Sequence, residues 1–154
     1  MLDDFAIEVA RDGDSEELRR ILQDAADLTG MGFVAVARVT DTRWVACQVL
    51  DRIDFGLSPG DELAIATTIC NDIRQYGEAV VVDDVSANPE WVTHPAPILY
   101  GFKSYASFPI ILPNGAFYGT LCAIDPDRRE LSSASIAAAM RDFAAKAAVV
   151  LSRE

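Results

Sequence analysis

SYASFPIILPNGAFYGTLCAID, residues 104–125, decides the fold. Two arms rich in aromatic and β-branched residues flank Asn114-Gly115, the strongest two-residue hairpin signal in a sequence. Pro109 cannot donate to a ladder, so it predicts an edge position or a bulge in the first arm. Side chains alternate along a strand, which puts Tyr118, Thr120 and Cys122 on one face of the second arm. Phe117, Gly119, Leu121 and Ala123 fall on the other. Either face could be the core, so Cys122 lines a pocket or packs beneath a helix. Asp125-Pro126-Asp127 then reads as a turn.

Downstream, SSASIAAAMRDFAAKAAVVLS is helical to the end of the chain. Ile136, Met140, Phe143, Ala147 and Val150 step 4-3-4-3, the spacing of an a/d seam. Such a seam serves a parallel dimer, a continuation into an output domain, or packing on the domain's own sheet. Upstream, SANPEWVTHPAPILYG (86–101) carries three prolines and cannot be one regular helix. It reads as a long loop with a short helix near 96–100, and loops of that length often cover or form a site.

Before it, AVVVDDV (79–85) is a short strand. TTICNDIRQYG is a helix with Thr67 or Thr68 as N-cap and Gly77 as stop. FGLSPGDEL is a connection built on Pro59-Gly60. FVAVARVTDTRWVACQVL (33–50) is two strands joined at Asp41-Thr42. Residues 14–29 form an amphipathic helix on Leu18, Ile21, Leu22, Ala25 and Leu28, with Asp14 and Glu17 at capping-box spacing and Gly30 as stop. Residues 1–13 are a lead-in, and 14–154 form a single domain. The order predicts an α+β fold: one antiparallel sheet with helices on its faces and the N- and C-terminal helices packed together.

Thirteen Lys and Arg against 24 Asp and Glu give a net charge of −11. That field repels phosphate backbones and anionic lipid, arguing against nucleic-acid and membrane-surface roles. No apolar run approaches the roughly 18–20 residues of a membrane span, and the acidic start lacks a signal-peptide pattern. The expectation is a cytoplasmic protein. Cys47, Cys70 and Cys122 are odd in number and far apart, which suits buried thiols better than disulfides. With His94 the only histidine, no zinc-ligand spacing exists and no metal site is expected.

Three groups invite a chemical reading. Cys70, near a helix N-terminus, could be a lowered-pKa thiol, but its nearest cations in sequence are Arg52 and Arg74 and its neighbours Ile69 and Ile73 look core-facing. A packed or cavity-lining residue is the better assignment. Trp91, Tyr100, Phe102 and Tyr105 surround His94 in sequence and supply the aromatic wall of a small-molecule cavity, or plug an empty one. His94 either faces solvent or hydrogen-bonds a ligand. Asp83 and Asp84 point to opposite faces while the strand continues, so they read as a wet strand end rather than a carboxylate pair. Neither a Ser-His-Asp set nor a Gly-rich phosphate loop is present.

Three segments in order, ELAIATTICNDIRQYGEAVVVDDVSANPEW, YGFKSYASFPI and GAFYGTLCAIDP, resemble the GAF family of sensory domains, such as those of bacterial sensor histidine kinases. The resemblance spans about residues 60–126. It implies a central antiparallel sheet, a ligand cavity between sheet, loop and helices, and homodimerisation through the terminal helices ahead of an output domain in the same chain. The candidate pocket is Thr67, Thr68, Cys70, Trp91, His94, Tyr100, Phe102, Tyr105, Tyr118 and Cys122. Its ligand or cofactor is unidentified. Bilin-binding members carry a Cys-His pair where this chain has Val92 and Thr93, so covalent bilin attachment there is not expected. The dispersed signature of cyclic-nucleotide members has no placement here, and Lys103 is the only lysine near the loop. Free methionine-R-sulfoxide reductases are the enzymatic branch, and size and three cysteines fit them. Their tryptophan-glycine-phenylalanine-tyrosine stretch is absent, leaving a non-catalytic sensory domain as the expectation. A thiol reductase and a ligand-free dimerisation spacer are the alternatives.

Overall fold

The computed structural model describes residues 3–63, 79–87, 101–131 and 133–152. In chain order these residues form α1 (Asp4–Asp12), α2 (Glu16–Thr29), β1 (Phe33–Val39), β2 (Trp44–Asp51), β3 (Glu62–Leu63), β4 (Val80–Val82), a 3₁₀ turn at Val85–Ala87, β5 (Ser104–Ile111), β6 (Phe117–Asp125) and α3 (Ala134–Leu151). The strands make one sheet in the order β3-β2-β1-β6-β5-β4, antiparallel at every pairing. This is the α+β architecture read from the sequence. The two-residue strand β3 was not foreseen, because it lies inside the Pro-Gly connection. The helix expected at Thr67–Gly77 falls on residues outside those described.

Local chemistry fixes the ends. The Ser15 hydroxyl accepts from the Leu18 N–H at 3.0 Å, and Gly30 ends α2 in the left-handed conformation at φ 72°. Ser15, and not Asp14, is therefore the cap; the Asp14 carboxylate pairs with Arg19 at 2.9 Å. Much of the expected lead-in is a helix in its own right, with Asp3 capping α1 and Ala6 and Val9 buried.

The hairpin forms where expected, with a different turn. The Gly115 N–H donates to the Leu112 carbonyl at 2.8 Å, so Pro113 and Asn114 are the central residues and Gly115 takes the positive φ of 89°. Pro113 locks its own φ negative, which forbids the type I′ turn that Asn-Gly otherwise favours. Pro109 pairs with Thr120 of β6 and lies past the last β4 pairing, at Ser107, so it removes no donor needed by β4.

Two register shifts reset the faces. Between β1 and β2, Val36 faces Gln48 while Ala37 faces Ala46, so Cys47 bulges. Between β5 and β6, Ile110 faces Gly119 while Ile111 faces Phe117, so Tyr118 bulges. The second bulge overturns the expected grouping of Tyr118 with Thr120 and Cys122. Tyr118 joins Leu121 and Ala123 beneath the helices, and Cys122 faces the other way with Ile124. Gly119 is needed at this crossing because a Cβ there would lie 1.8 Å from the Ala37 carbonyl oxygen.

The helices cover one face. Leu18, Ile21, Leu22, Ala25 and Ala26 of α2 and Met140, Ala144, Ala147, Ala148 and Leu151 of α3 close over Val34, Val36, Phe108, Ile110 and Leu121. The predicted seam of α3 belongs to this core: Met140 and Ala147 are buried, and Ile136, Phe143 and Val150 pack half-buried against it. Asp125, 2% exposed, ties this layer to the sheet by accepting from the Gly32 N–H and the Asp127 N–H, each at 2.8 Å. Asp83 and Asp84 are not simply a wet strand end. Asp83 accepts from the Leu131 N–H at 2.8 Å, and Asp84 accepts from Ser86 in the 3₁₀ turn.

Candidate functional site

The sheet face opposite the helices is graded in side-chain size. Cross-strand partners share a face, so its rows follow from the register. Ala46, Ala37 and Thr120 make one row, and Ala35, Cys122 and Ser107 make the next. Phe33, Ile124, Tyr105 and Val82 stand at one end of these rows, and Trp44 with Val39 at the other. The result is a floor of small side chains flanked by Val49, Val80 and Pro109 at the sheet edges, its apolar members packed in one cluster with Phe55, Leu57, Leu63 and Phe117.

At the aromatic end the floor meets a cleft of about 500 Å³ lined by Ile53, Phe55, Leu57, Leu63, Phe102, Ile124 and Pro126, with Asp54 on its lining. The wall of this cleft is the loop after β2. The Asp51 carboxylate accepts from the N–H groups of Ile53, Phe55 and Gly56 at 2.9–3.2 Å, and Asp54 takes the left-handed φ of 57° that the tight path requires. Burial raises the Asp51 pKa, and the backbone donors from Gly56, Phe55, Ile53 and Asp54 outweigh it, leaving the carboxyl below its ordinary value. The loop holds the Phe55 ring 4.9 Å from that of Phe33.

Of the residues singled out in the sequence, Phe102, Tyr105 and Cys122 lie together on this face. The Phe102 and Tyr105 ring centroids are 5.3 Å apart, and the Cys122 thiol points at the Ala35 carbonyl at 3.6 Å. Tyr118 does not join them. Its phenol meets the Cys47 thiol at 3.4 Å on the helix side, with the Arg38 guanidinium 5.0 Å above the ring. Burial, then the Cys47 thiol, push the Tyr118 pKa far up, so this phenol stays protonated. Thr67, Thr68, Cys70, Trp91, His94 and Tyr100 lie outside the described residues.

Sequence reading missed Ala35, Ala37, Ala46 and Trp44. The signal was present in FVAVARV, where Ala alternates with Val, so the middle of one face of β1, between Phe33 and Val39, is small. Trp44, 2% exposed, carries an indole N–H with no hydrogen-bond partner.

One connection runs from this face to α1. Arg43 precedes Trp44 and holds Glu62 of β3 with two hydrogen bonds of 2.7 and 2.8 Å, Asp3 at 2.8 Å, and the Phe5 ring at 4.8 Å. The hydrogen bonds to Glu62 and Asp3 raise the Arg43 pKa further above its already high value.

A family model described as GAF domain matches residues 15–151. No curated protein matches the chain in sequence. The fold is similar to the GAF domain of an Acinetobacter phosphoenolpyruvate-protein phosphotransferase: TM-score 0.69 at 11% identity, covering 97% of this chain and 94% of that one. A type II free methionine-R-sulfoxide reductase from Thermoplasma acidophilum is similar at TM-score 0.66 and 13% identity, covering 96% and 95%. Residues 122 to 287 of a methyl-accepting chemotaxis protein give TM-score 0.66 at 20% identity, covering 97% and 96%.

Proposed function

The chain belongs to the GAF domain family, and from that premise we propose that it is the cytoplasmic sensory module of a bacterial signal-transduction protein. A small ligand held on the small-residue face biases the terminal helices, and through them an output such as a histidine kinase or a cyclic-dinucleotide enzyme. The observation that carries this reading is the floor of Ala35, Ala37, Ala46, Ser107, Thr120 and Cys122 between aromatic ends. A sheet face built only to be packed would carry large side chains there, as the helix-covered face does. Arg43 offers a mechanical route, because Glu62 on β3 and Asp3, the N-cap of α1, share its guanidinium.

The relay would be a homodimer. Val149, 47% exposed, lies with Ile21 and Val150 in a groove between α2 and α3 rimmed by Glu17, Asp24, Arg20 and Lys146. Acidic and basic groups around one apolar strip suit a two-fold pairing with a second copy. Sedimentation at rising concentration tests this: a dimer that Val149→Glu dissociates is expected, and a monomer at every concentration overturns it.

The thiol-reductase alternative is disfavoured by the thiols in view. Cys47 is buried beneath the helices and Cys122 is buried on the other face, so this pair cannot form a redox disulfide within the fold. Consumption of free methionine sulfoxide with thioredoxin as reductant would reinstate that alternative.

A thermal-shift screen of metabolites tests the sensory reading. A ligand at one hundred times its Kd stabilises by about 2.7 kcal/mol, or about 5–10 °C for a chain of this size. No shift from any compound class contradicts it.

A further inference from the structure

The chemistry of the small-residue face narrows what it takes, provided that the sensory reading holds. The floor residues Ala35, Ala37, Ala46, Ser107, Thr120 and Cys122 are apolar or neutral; the acids beside them, Asp51 across from Phe33 and Asp54 on the lining of the adjoining cleft, stand at the aromatic end. Tyr105, Ser107, Thr120 and Cys122 each already engage a neighbour. One donor does not.

The Trp44 indole N–H is sealed from water and makes no hydrogen bond, beside the row of Ala37 and Ala46. An orphaned buried donor is destabilising, and buried indoles ordinarily find a partner. The other buried side-chain polar atom without a partner among the described residues, Arg129 Nε, belongs to a guanidinium that already reaches Asp125 and Asp127. Trp44 is thus the unmatched group of this face among the described residues. Its position is set, since its strand neighbours are Val39 on one side and Leu63 on the other, and Leu63 lines the cleft.

We propose that this face binds an uncharged, flat ring compound bearing a carbonyl-type acceptor, with the ring on the alanine floor and the acceptor oxygen on the Trp44 indole N–H. Charged ligands are disfavoured twice. The floor itself offers a charged ligand no counter-charge, and the acids at its aromatic end, with a net charge of −11, repel anions. A flat apolar ring uses the small residues as clearance and the aromatic end as a wall. Trp44 then supplies the directional contact that separates an acceptor-bearing ring from a plain hydrocarbon.

The test compares coumarin, which carries a ring carbonyl, with naphthalene, which has the same two-ring outline and no acceptor. In ¹⁵N-labelled protein, coumarin is expected to move the Trp44 indole signal, and its affinity is expected to fall about threefold to tenfold in Trp44→Phe, the scale of one neutral hydrogen bond. Naphthalene should bind wild type and Trp44→Phe alike. Because the indole signal is read in the wild-type protein, the test does not depend on the variant folding. Equal behaviour of the two probes removes the donor role while leaving binding on the face intact. Binding of a cyclic nucleotide to the floor, with neither ring bound, overturns the ligand class alone. If none of the three moves a signal from this face, this inference falls, whereas the sensory reading falls only if the thermal-shift screen is empty as well.

Discussion

The two faces of the sheet are both buried, yet they are built in opposite ways. Beneath the helices lie all of the largest fully buried side chains among the described residues, including Phe108, Leu18, Leu22, Met31, Ile110, Leu121 and Met140. On the other face the fully buried positions are the small residues Ala35, Ala37, Ala46, Ser107 and Thr120, with Val39 the largest among them. Stability is therefore concentrated on the helix side, where large groups interlock. The small-residue side buries smaller side chains on its floor and contributes less to stability. A binding face can be remodelled by ligand only if the fold does not depend on its packing.

That contrast can be broken by substitution. Phe108→Ala on the helix side should destabilise by about 3–5 kcal/mol in chemical denaturation, because transfer and cavity terms add. Ala35→Val on the floor should change stability by under about 1 kcal/mol and abolish the thermal shift given by any ligand. A loss of 1–3 kcal/mol, the usual cost of overpacking, would mean that this face is as tightly packed as its opposite.

Smaller effects sharpen the comparison. Arg43→Ala should leave global unfolding nearly unchanged, since exposed ion pairs contribute little. It should speed hydrogen exchange in α1 by cutting the tie that β3 shares with it. Unaltered exchange in α1 would remove Arg43 from the relay. The smallest effect is in pH. The folded-state pKa of Asp51 is lowered, so its contribution to stability is complete above the unfolded value, about 3.9, and is lost as pH falls through the folded value. The difference in melting temperature between wild type and Asp51→Asn should accordingly be constant from pH 7 to about 5 and shrink below about 4. A difference that grows on acidification would contradict the loop chemistry.

The fold was largely legible in the sequence because its signals are local. Two β-rich arms around Asn114-Gly115, the periodicity of Leu18, Ile21, Leu22 and Ala25, and Gly30 as stop each act within a few residues. The face of Tyr118 was not legible. Its bulge answers to the close approach of Gly119 to Ala37, a contact between strands remote in sequence, and one extra residue reverses every later side chain. For the same reason the candidate face was visible in the sequence only in part. Phe102, Tyr105 and Cys122 are on the small-residue face, but their aromatic and thiol character drew attention away from the alanines that make the floor. Trp44 read as a strand residue only, since an unmet hydrogen bond shows in three dimensions alone.

Alanine-methyl NMR tests the central claim most directly, because alanines report on both faces in one spectrum. On adding a compound that raises the melting temperature, the methyl signals of Ala35, Ala37 and Ala46 should move first and furthest. Those of Ala25, Ala144 and Ala147 beneath the helices should follow weakly. Movement confined to the helix-side alanines, with the floor signals still, would contradict the assignment of the small-residue face as the sensory surface.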